Sequence, residues 1–158
     1  MNEKKQPSTG EYDKSTPIYD WNIDSEVSDT DSYRAAIEGS LKVKGWNEDE
    51  ADKIGLGFKE LLDNAIKHGN KNTPGKKVSV KIKITPTKFE GEIQDEGKDS
   101  KAFWENLPDP TADENLLKSS GRGILMARAW MNEVKFEKNK QGVKVVFVRD
   151  LNQPLNSK

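Results

Sequence analysis

Residues Glu60 to Asn70 have the sequence ELLDNAIKHGN, which places a carboxylate and a carboxamide one helical turn apart. Residues four apart share a helix face, so Glu60 and Asn64 are neighbours. The apolar residues before and among them recur at helical spacing and predict an inward stripe: Ile54, Phe58, Leu61, Leu62 and Ala65. Because Glu60 and Asn64 lie well round from that stripe, we expect them to line a surface or a cleft.

The flanking segments predict further helices and strands. Asn47 and Glu50 resemble a capping box at the start of this helix, and Gly69 is a suitable stop at its end. Asp31 is a candidate cap for an earlier helix. Ile18–Ile23 is a candidate first strand. Period-two alternation predicts a hairpin of Lys77–Ile84 and Phe89–Ile93, and a second hairpin is predicted at Val134–Phe136 and Val143–Phe147. A helix at Gly123–Met131 precedes the second hairpin. Helices covering one face of an antiparallel sheet follow from this order.

Composition limits the classes of function. The chain has 158 residues, the length of one domain, and its 26 basic and 27 acidic side chains nearly cancel. We therefore expect no direct binding of nucleic acid, which requires a basic surface. The absence of cysteine excludes disulfides and thiolate catalysis, and no apolar run suits a membrane span or a signal peptide. We expect a cytoplasmic domain at 18–150, a flexible tail at 1–17 and a second tail at 151–158.

Two further motifs follow the helix. Asp95-Glu96-Gly97 comes directly after an apolar strand, and Gly121-Arg122-Gly123 opens a helix-like segment. Each has an ordinary alternative, since Asp-Glu-Gly is a common turn and Gly-x-Gly is common loop chemistry. A Glu or Asn on the polar side of a helix is likewise often only solvated.

Together and in this order, the motifs resemble the N box and the two glycine boxes of the GHKL (histidine kinase-like) ATPase superfamily. The segments ELLDNAIKHGN, DEG, DPTADENLLKSSGRGI and MNEVKF are similar to the stand-alone serine kinases that act as anti-sigma factors in bacterial partner switching. The similarity runs from about Tyr19 to Arg149. It implies an α+β two-layer sandwich, the Bergerat ATP-binding fold, with a mixed, mainly antiparallel sheet covered by helices on one face. It also implies that Ala102–Ser120 is an ATP lid.

The resemblance assigns ATP and Mg²⁺ as cofactors. Asn64 would supply an oxygen to Mg²⁺, and Glu60 would be the general base of phosphoryl transfer. Asp95 would accept a hydrogen bond from the exocyclic amino group of adenine, where guanine offers an oxygen instead. Gly97 would let the backbone approach the base closely.

The same resemblance places the phosphates at the second glycine box. Gly121 and Gly123 would present backbone N–H groups at a helix start, where the helix dipole favours an anion. Lys118 or Arg122 would add positive charge. His68 is interpreted as a helix-end residue near the lid that contributes to the nucleotide site.

The function implied is that of an anti-sigma factor with serine/threonine kinase activity. It would phosphorylate a STAS-type anti-sigma factor antagonist, sequester a sigma factor, and form a homodimer through the first strand and helix. The family pattern usually has another glycine where Asp99 and Ser100 stand, which makes nucleotide binding the firmer expectation and catalysis the weaker one.

Two alternatives stay open. One is a nucleotide-binding module that acts by sequestration without kinase activity. The other is the catalytic domain of a histidine kinase, which would need a helix pair bearing a phosphoacceptor histidine, and we expect none upstream. A dinucleotide fingerprint at Gly55-Leu56-Gly57 is rejected, because it lies within the helical period and lacks a third glycine.

Overall fold

The computed structural model of this chain describes residues 18–26, 29–97 and 119–155. The expected N-terminal tail, most of the expected lid, Lys118 and Asp99 lie outside these residues. Within the described part, every helix is too short or too polar to span a bilayer.

The described residues form five strands and three helices. In chain order they are β1 Tyr19–Asp24, α1 Asp31–Val43, α2 Glu48–Asn64, β2 Lys77–Ile84, β3 Lys88–Gln94, α3 Ser119–Trp130, β4 Glu133–Lys138 and β5 Val143–Asp150. The strand order is β1-β2-β3-β5-β4, and each pairing is antiparallel. The α+β fold and both hairpins are confirmed, and no parallel pair occurs among the described strands.

Helix α2 begins as the sequence predicts. Asn47 is the N-cap, and its side-chain oxygen accepts a hydrogen bond of 2.8 Å from the backbone N–H of Glu50. The Glu50 carboxylate in turn accepts hydrogen bonds of 3.3 Å from the buried Arg149 guanidinium on β5. Arg149 also donates a 3.0 Å bond to Oδ1 of Asn132. These bonds tie the start of α2 to the end of β5.

The expected cap of α1 is wrong by one position. Asp31 is the first helical residue, and Thr30 occupies the N-cap without a side-chain capping bond. The Thr30 hydroxyl instead donates to Oδ1 of Asp63 on α2 at 2.8 Å, and Lys59 donates to the other Asp63 oxygen at 2.8 Å. The hydrogen bond to Asp63 raises the pKa of Lys59. Thr30 therefore joins α1 to α2, because its hydroxyl bonds to Asp63 and does not cap its own helix.

Helix α2 ends in a π-helical turn, Ala65–Gly69. The Asn70 N–H donates to the Ala65 carbonyl five residues back at 2.9 Å, which is the π pattern. Lys71 and Asn72 then adopt left-handed backbone conformations with φ of 54° and 53°. This places the chain reversal just beyond Gly69, close to where the sequence predicts the helix to stop.

The core lies between the helices and one face of the sheet. Phe58 on α2 is fully buried, and its ring centroid is 6.4 Å from that of Trp21 on β1 and 6.4 Å from that of Phe147 on β5. The alternating residues of β2 are buried on the same side: Val78, Val80, Ile82 and Ile84. The predicted stripe of α2 is buried throughout, so this helix organises the core.

Gly55 and Gly57 lie inside α2 and permit close helix packing. A Cβ built on Gly55 would overlap the Glu38 side chain of α1. A Cβ on Gly57 would lie 3.1 Å from Cε of Met131 and 3.4 Å from Cα of Ala127 on α3. These glycines let α1 and α3 approach α2 on two sides. Helix packing therefore explains the Gly-x-Gly spacing, and no dinucleotide-binding role is needed.

We predict that Phe58→Ala lowers the free energy of unfolding by about 3 to 5 kcal/mol, because it opens a cavity between α2 and the sheet. Val43→Ala is the control, since Val43 is 85% exposed and its truncation should change stability by less than about 0.5 kcal/mol. Urea unfolding monitored by circular dichroism measures both. Equal losses in the two variants would contradict this description of the core.

Candidate functional site

Glu60 and Asn64 lie one turn apart on α2, as the sequence predicts. Asn64 is only 7% exposed, and Glu60 is half-buried. The Asn64 amide donates a hydrogen bond of 2.9 Å from Nδ2 to the Glu60 carbonyl. Because only the nitrogen can donate, this bond fixes the orientation of the amide and leaves its oxygen to act as an acceptor or a ligand.

The first turns of α3 approach Glu60. A Cβ built on Gly123 would overlap Oε1 of Glu60 and would lie 3.1 Å from its Cβ. Gly121 and Arg122 belong to the helical backbone just before Gly123. Helix α3 begins at Ser119, four residues before the start that the sequence predicts, so Gly123 lies in its second turn. The structure therefore brings the second turn of α3 beside the Glu60 carboxylate.

Asp95 forms the other end of the candidate site. Its side chain is 3% exposed, and Oδ1 accepts hydrogen bonds of 2.9 Å from the backbone N–H groups of Gly97 and Val143. Burial raises the pKa of this carboxyl, and the two N–H bonds offset part of that increase. A second Asp95 oxygen, Oδ2, makes none of these bonds.

Two glycines enclose the Asp95 carboxylate. A Cβ on Gly69, at the end of the π-helical turn, would overlap Oδ2 of Asp95. A Cβ on Gly142, in the turn between β4 and β5, would overlap Oδ1 and would lie 2.6 Å from the Gly97 nitrogen. The carboxylate is therefore seated between the end of α2 and the second hairpin.

Helix α2 connects the two ends of the site. Gly69 contacts Asp95 and Glu60 contacts Gly123, and nine residues at about 1.5 Å each separate these contacts by roughly 13 Å. One motif therefore contacts the segment of Gly123 through Glu60 and contacts Asp95 through Gly69.

A family model of the histidine kinase-like ATPase domain matches residues 23–149. The chain belongs to this family. Among solved structures, the fold is similar to the crystal structure of the RsbU and RsbW domains of Rv1364c from Mycobacterium tuberculosis, with 17% identity and a TM-score of 0.60. The similarity covers 85% of this chain and 32% of that one, so the chain spans about a third of its length. No curated protein matches the chain.

The structure describes only some of the other expected site residues of this ATPase domain. His68 lies in the π-helical turn directly before Gly69, and its side chain is exposed. Gly97 is buried and donates to Asp95. Lys118 lies outside the described residues, and for Arg122 only the helical backbone is described. Membership of an ATPase family implies an ATP site, and the individual residue roles remain predictions.

Sequence reasoning missed the residues that support Asp95. Val143 and Gly142 lie almost fifty residues further along the chain, and no spacing rule connects them with Asp95. Gln94 and Asn139 exchange side-chain hydrogen bonds of 3.2 and 2.8 Å, and these bonds tie the β4–β5 turn to the end of β3. The strand register was the missing information, because it decides which turn closes over Asp95.

We predict that Gly69→Ala lowers the free energy of unfolding by about 1 to 3 kcal/mol, because its Cβ requires the hydrogen-bonded Asp95 carboxylate to move. Gly39→Ala is the matched control on α1, where a Cβ meets nothing within 4 Å. It should stabilise the protein by about 0.5 to 1 kcal/mol through helix propensity. Urea unfolding of both variants is the measurement, and a stabilised Gly69→Ala would disprove the close contact.

Proposed function

We propose that this chain binds Mg²⁺-ATP and transfers the γ-phosphoryl group to a serine or threonine of a STAS-type anti-sigma factor antagonist, and that it also sequesters a sigma factor. The observation that carries the proposal is the pairing of contacts along α2, with Glu60 beside Gly123 and Gly69 beside Asp95. Family membership and the resemblance of the motifs to anti-sigma serine kinases support it.

The adenine end rests on the chemistry of Asp95. Two backbone N–H groups occupy Oδ1, so Oδ2 is the atom suited to accept the exocyclic amino group of adenine. A carbonyl oxygen, as in guanine or hypoxanthine, would meet a second acceptor there and be rejected. Gly69 leaves no side chain beside Oδ2, because a Cβ there would overlap this oxygen. Gly97 would let the backbone approach the base closely.

The phosphate end fits a magnesium-bound triphosphate. Mg²⁺ bound to phosphates keeps several waters and takes only one or two protein oxygens. The Asn64 amide, held by the Glu60 carbonyl, presents one such oxygen. Within residues 18–26, 29–97 and 119–155, no cluster of three acidic or histidine side chains forms a separate metal site. When bound, the ion neutralises the phosphate charge.

Phosphate recognition is assigned to the start of α3. The first turn of α3, which includes Gly121 and is followed by Gly123, has unpaired N–H groups that suit an anion, and Lys118 or Arg122 would add positive charge. By its position in the motif, His68 would lie near the lid. These roles rest on the position of each residue in the motif and on the approach of α3 to Glu60.

The chemical step is assigned to Glu60. The hydroxyl oxygen of the substrate serine or threonine attacks the γ-phosphorus, the bond to the β-phosphate oxygen breaks, and ADP leaves. The Glu60 carboxylate accepts the hydroxyl proton. Gly123 leaves space for that carboxylate, because any side chain there would overlap it.

The resemblance implies a cytoplasmic protein. It also implies a homodimer, which would form through β1 and α1. A cavity of about 390 Å³ lies between them, lined by residues that include Ile18, Tyr19, Ala36 and Val43. Ile18 is 42% exposed and Val43 is 85% exposed, so this region presents apolar surface.

A second candidate is sequestration without phosphoryl transfer. It is favoured by Asp99 and Ser100, which follow Gly97-Lys98 where the family pattern has another glycine. A negative charge there opposes phosphate approach. The two functions share nucleotide binding and differ only in whether the γ-phosphoryl group is transferred from ATP to the antagonist.

We predict that two substitutions separate the two ends of the nucleotide. Asp95→Asn retains an oxygen for Gly97 and Val143 but places a donor beside the adenine amino group. ATP affinity should fall about 10- to 100-fold, and the preference for ATP over inosine triphosphate should be lost. Asn64→Ala should retain the base preference and lose the Mg²⁺ dependence of binding.

Calorimetric titration of ATP and inosine triphosphate, with and without Mg²⁺, measures both effects, and each variant is the control for the other. Identical changes in the two variants would disprove the assignment of base and metal to opposite ends of α2.

We predict that Glu60→Gln retains ATP binding within about threefold and lowers phosphoryl transfer at least about 100-fold, because the amide cannot accept the proton. The assay follows label from γ-labelled ATP into a purified antagonist. Glu48→Gln on the exposed first turn of α2 is the control and should transfer normally. A wild-type protein that binds ATP but never labels the antagonist would favour sequestration alone.

A further inference from the structure

Asn70 is a fully buried polar residue directly after the π-helical turn. Its Oδ1 accepts a hydrogen bond of 2.6 Å from the backbone N–H of Glu96. Its Nδ2 donates to Oγ of Ser25 at 2.8 Å and to the Lys77 carbonyl at 3.0 Å. The two bonds from Nδ2 fix which amide atom is the oxygen, so the acceptor must face Glu96.

These bonds hold the peptide that follows Asp95. On the strand side, the Asp95 N–H donates to the Val143 carbonyl at 2.9 Å. On the other side, the Glu96 N–H is held by Asn70, and the Glu96 carboxylate accepts a 2.9 Å bond from the Lys77 N–H. The backbone of Asp95 is therefore fixed from both sides. Asn70 supplies the hydrogen bond to the peptide directly after Asp95.

We propose that Asn70 is a positioning residue that sets the selectivity of the site for adenine, acting on Asp95 through the Glu96 peptide. This inference rests on the proposed role of Asp95 as the acceptor for adenine. Asn70 itself lies beneath the site and has no need to touch the nucleotide. Its effect is geometric, because a hydrogen bond weakens steeply when distance or angle departs from its optimum.

The competing explanation is that Asn70 only stabilises the fold. Ser25 separates the two explanations, because it shares the network without touching the Asp95 segment. The Ser25 hydroxyl accepts from Asn70 and donates to the Lys76 carbonyl at 2.7 Å. Ser25→Ala removes these bonds and leaves the contact between Asn70 and Glu96 in place. A purely structural network would respond alike to both substitutions.

The test compares wild type with Asn70→Ala, Ser25→Ala and Asn70→Asp. Thermal unfolding gives stability, and calorimetric titration gives the ratio of the dissociation constants for inosine triphosphate and ATP. We expect Ser25→Ala to lower the melting temperature and keep this ratio within about threefold of wild type. We expect Asn70→Ala to reduce the ratio at least about tenfold, the size of one lost hydrogen bond.

Asn70→Asp keeps an oxygen for the Glu96 N–H and loses both donors, so it should be less stable and still prefer ATP. This variant also provides a test if Asn70→Ala does not fold. The proposal is overturned if Asn70→Ala retains the wild-type ratio, or if Asn70→Asp or Ser25→Ala loses it. A wild-type protein that does not distinguish the two nucleotides would instead refute the proposed role of Asp95, and this inference with it.

Discussion

The site depends on how closely its neighbours pack against helix α2. This helix supplies the aromatic centre of the core through Phe58, and its polar side carries Glu60 and Asn64. Contacts at Gly57 and Gly123 bring α3 against it, and the contact at Gly69 brings Asp95 against its end. Because interiors are close-packed, an added methyl group at these contacts must displace a neighbour. The same packing that stabilises the fold therefore sets the spacing of the candidate site.

Burial of Asp95 has an energetic cost that the surrounding backbone reduces. Desolvation raises the pKa of this carboxyl, and the N–H groups of Gly97 and Val143 favour its charged form. A raised pKa in the folded state means that this group contributes most to stability below its unfolded-state pKa. That contribution is lost as the pH rises through the folded-state value. Near neutral pH the fold therefore holds the charged Asp95 carboxylate in one orientation at a cost in stability.

Much of this arrangement could be predicted from local pattern. Helical periodicity located α2 and its buried stripe, the capping box located its start, and alternation located both hairpins. The predicted N-cap of α1 was wrong because Thr30 occupies that position and bonds through its side chain to Asp63. The supports of Asp95 were missed because Val143 reaches it through strand register, and Asn70 through a turn between elements. Local rules carry no information about such distant partners.

The π-helical turn determines which residue of the helix end faces Asp95. A π turn contains one residue more than the α-helical turn it replaces, and each residue rotates the helix by about 100°. Removal of one residue from Ala65–Gly69 would turn a different residue toward Asp95, where only hydrogen fits. The π-helical turn therefore decides that a residue without a side chain faces the Asp95 carboxylate.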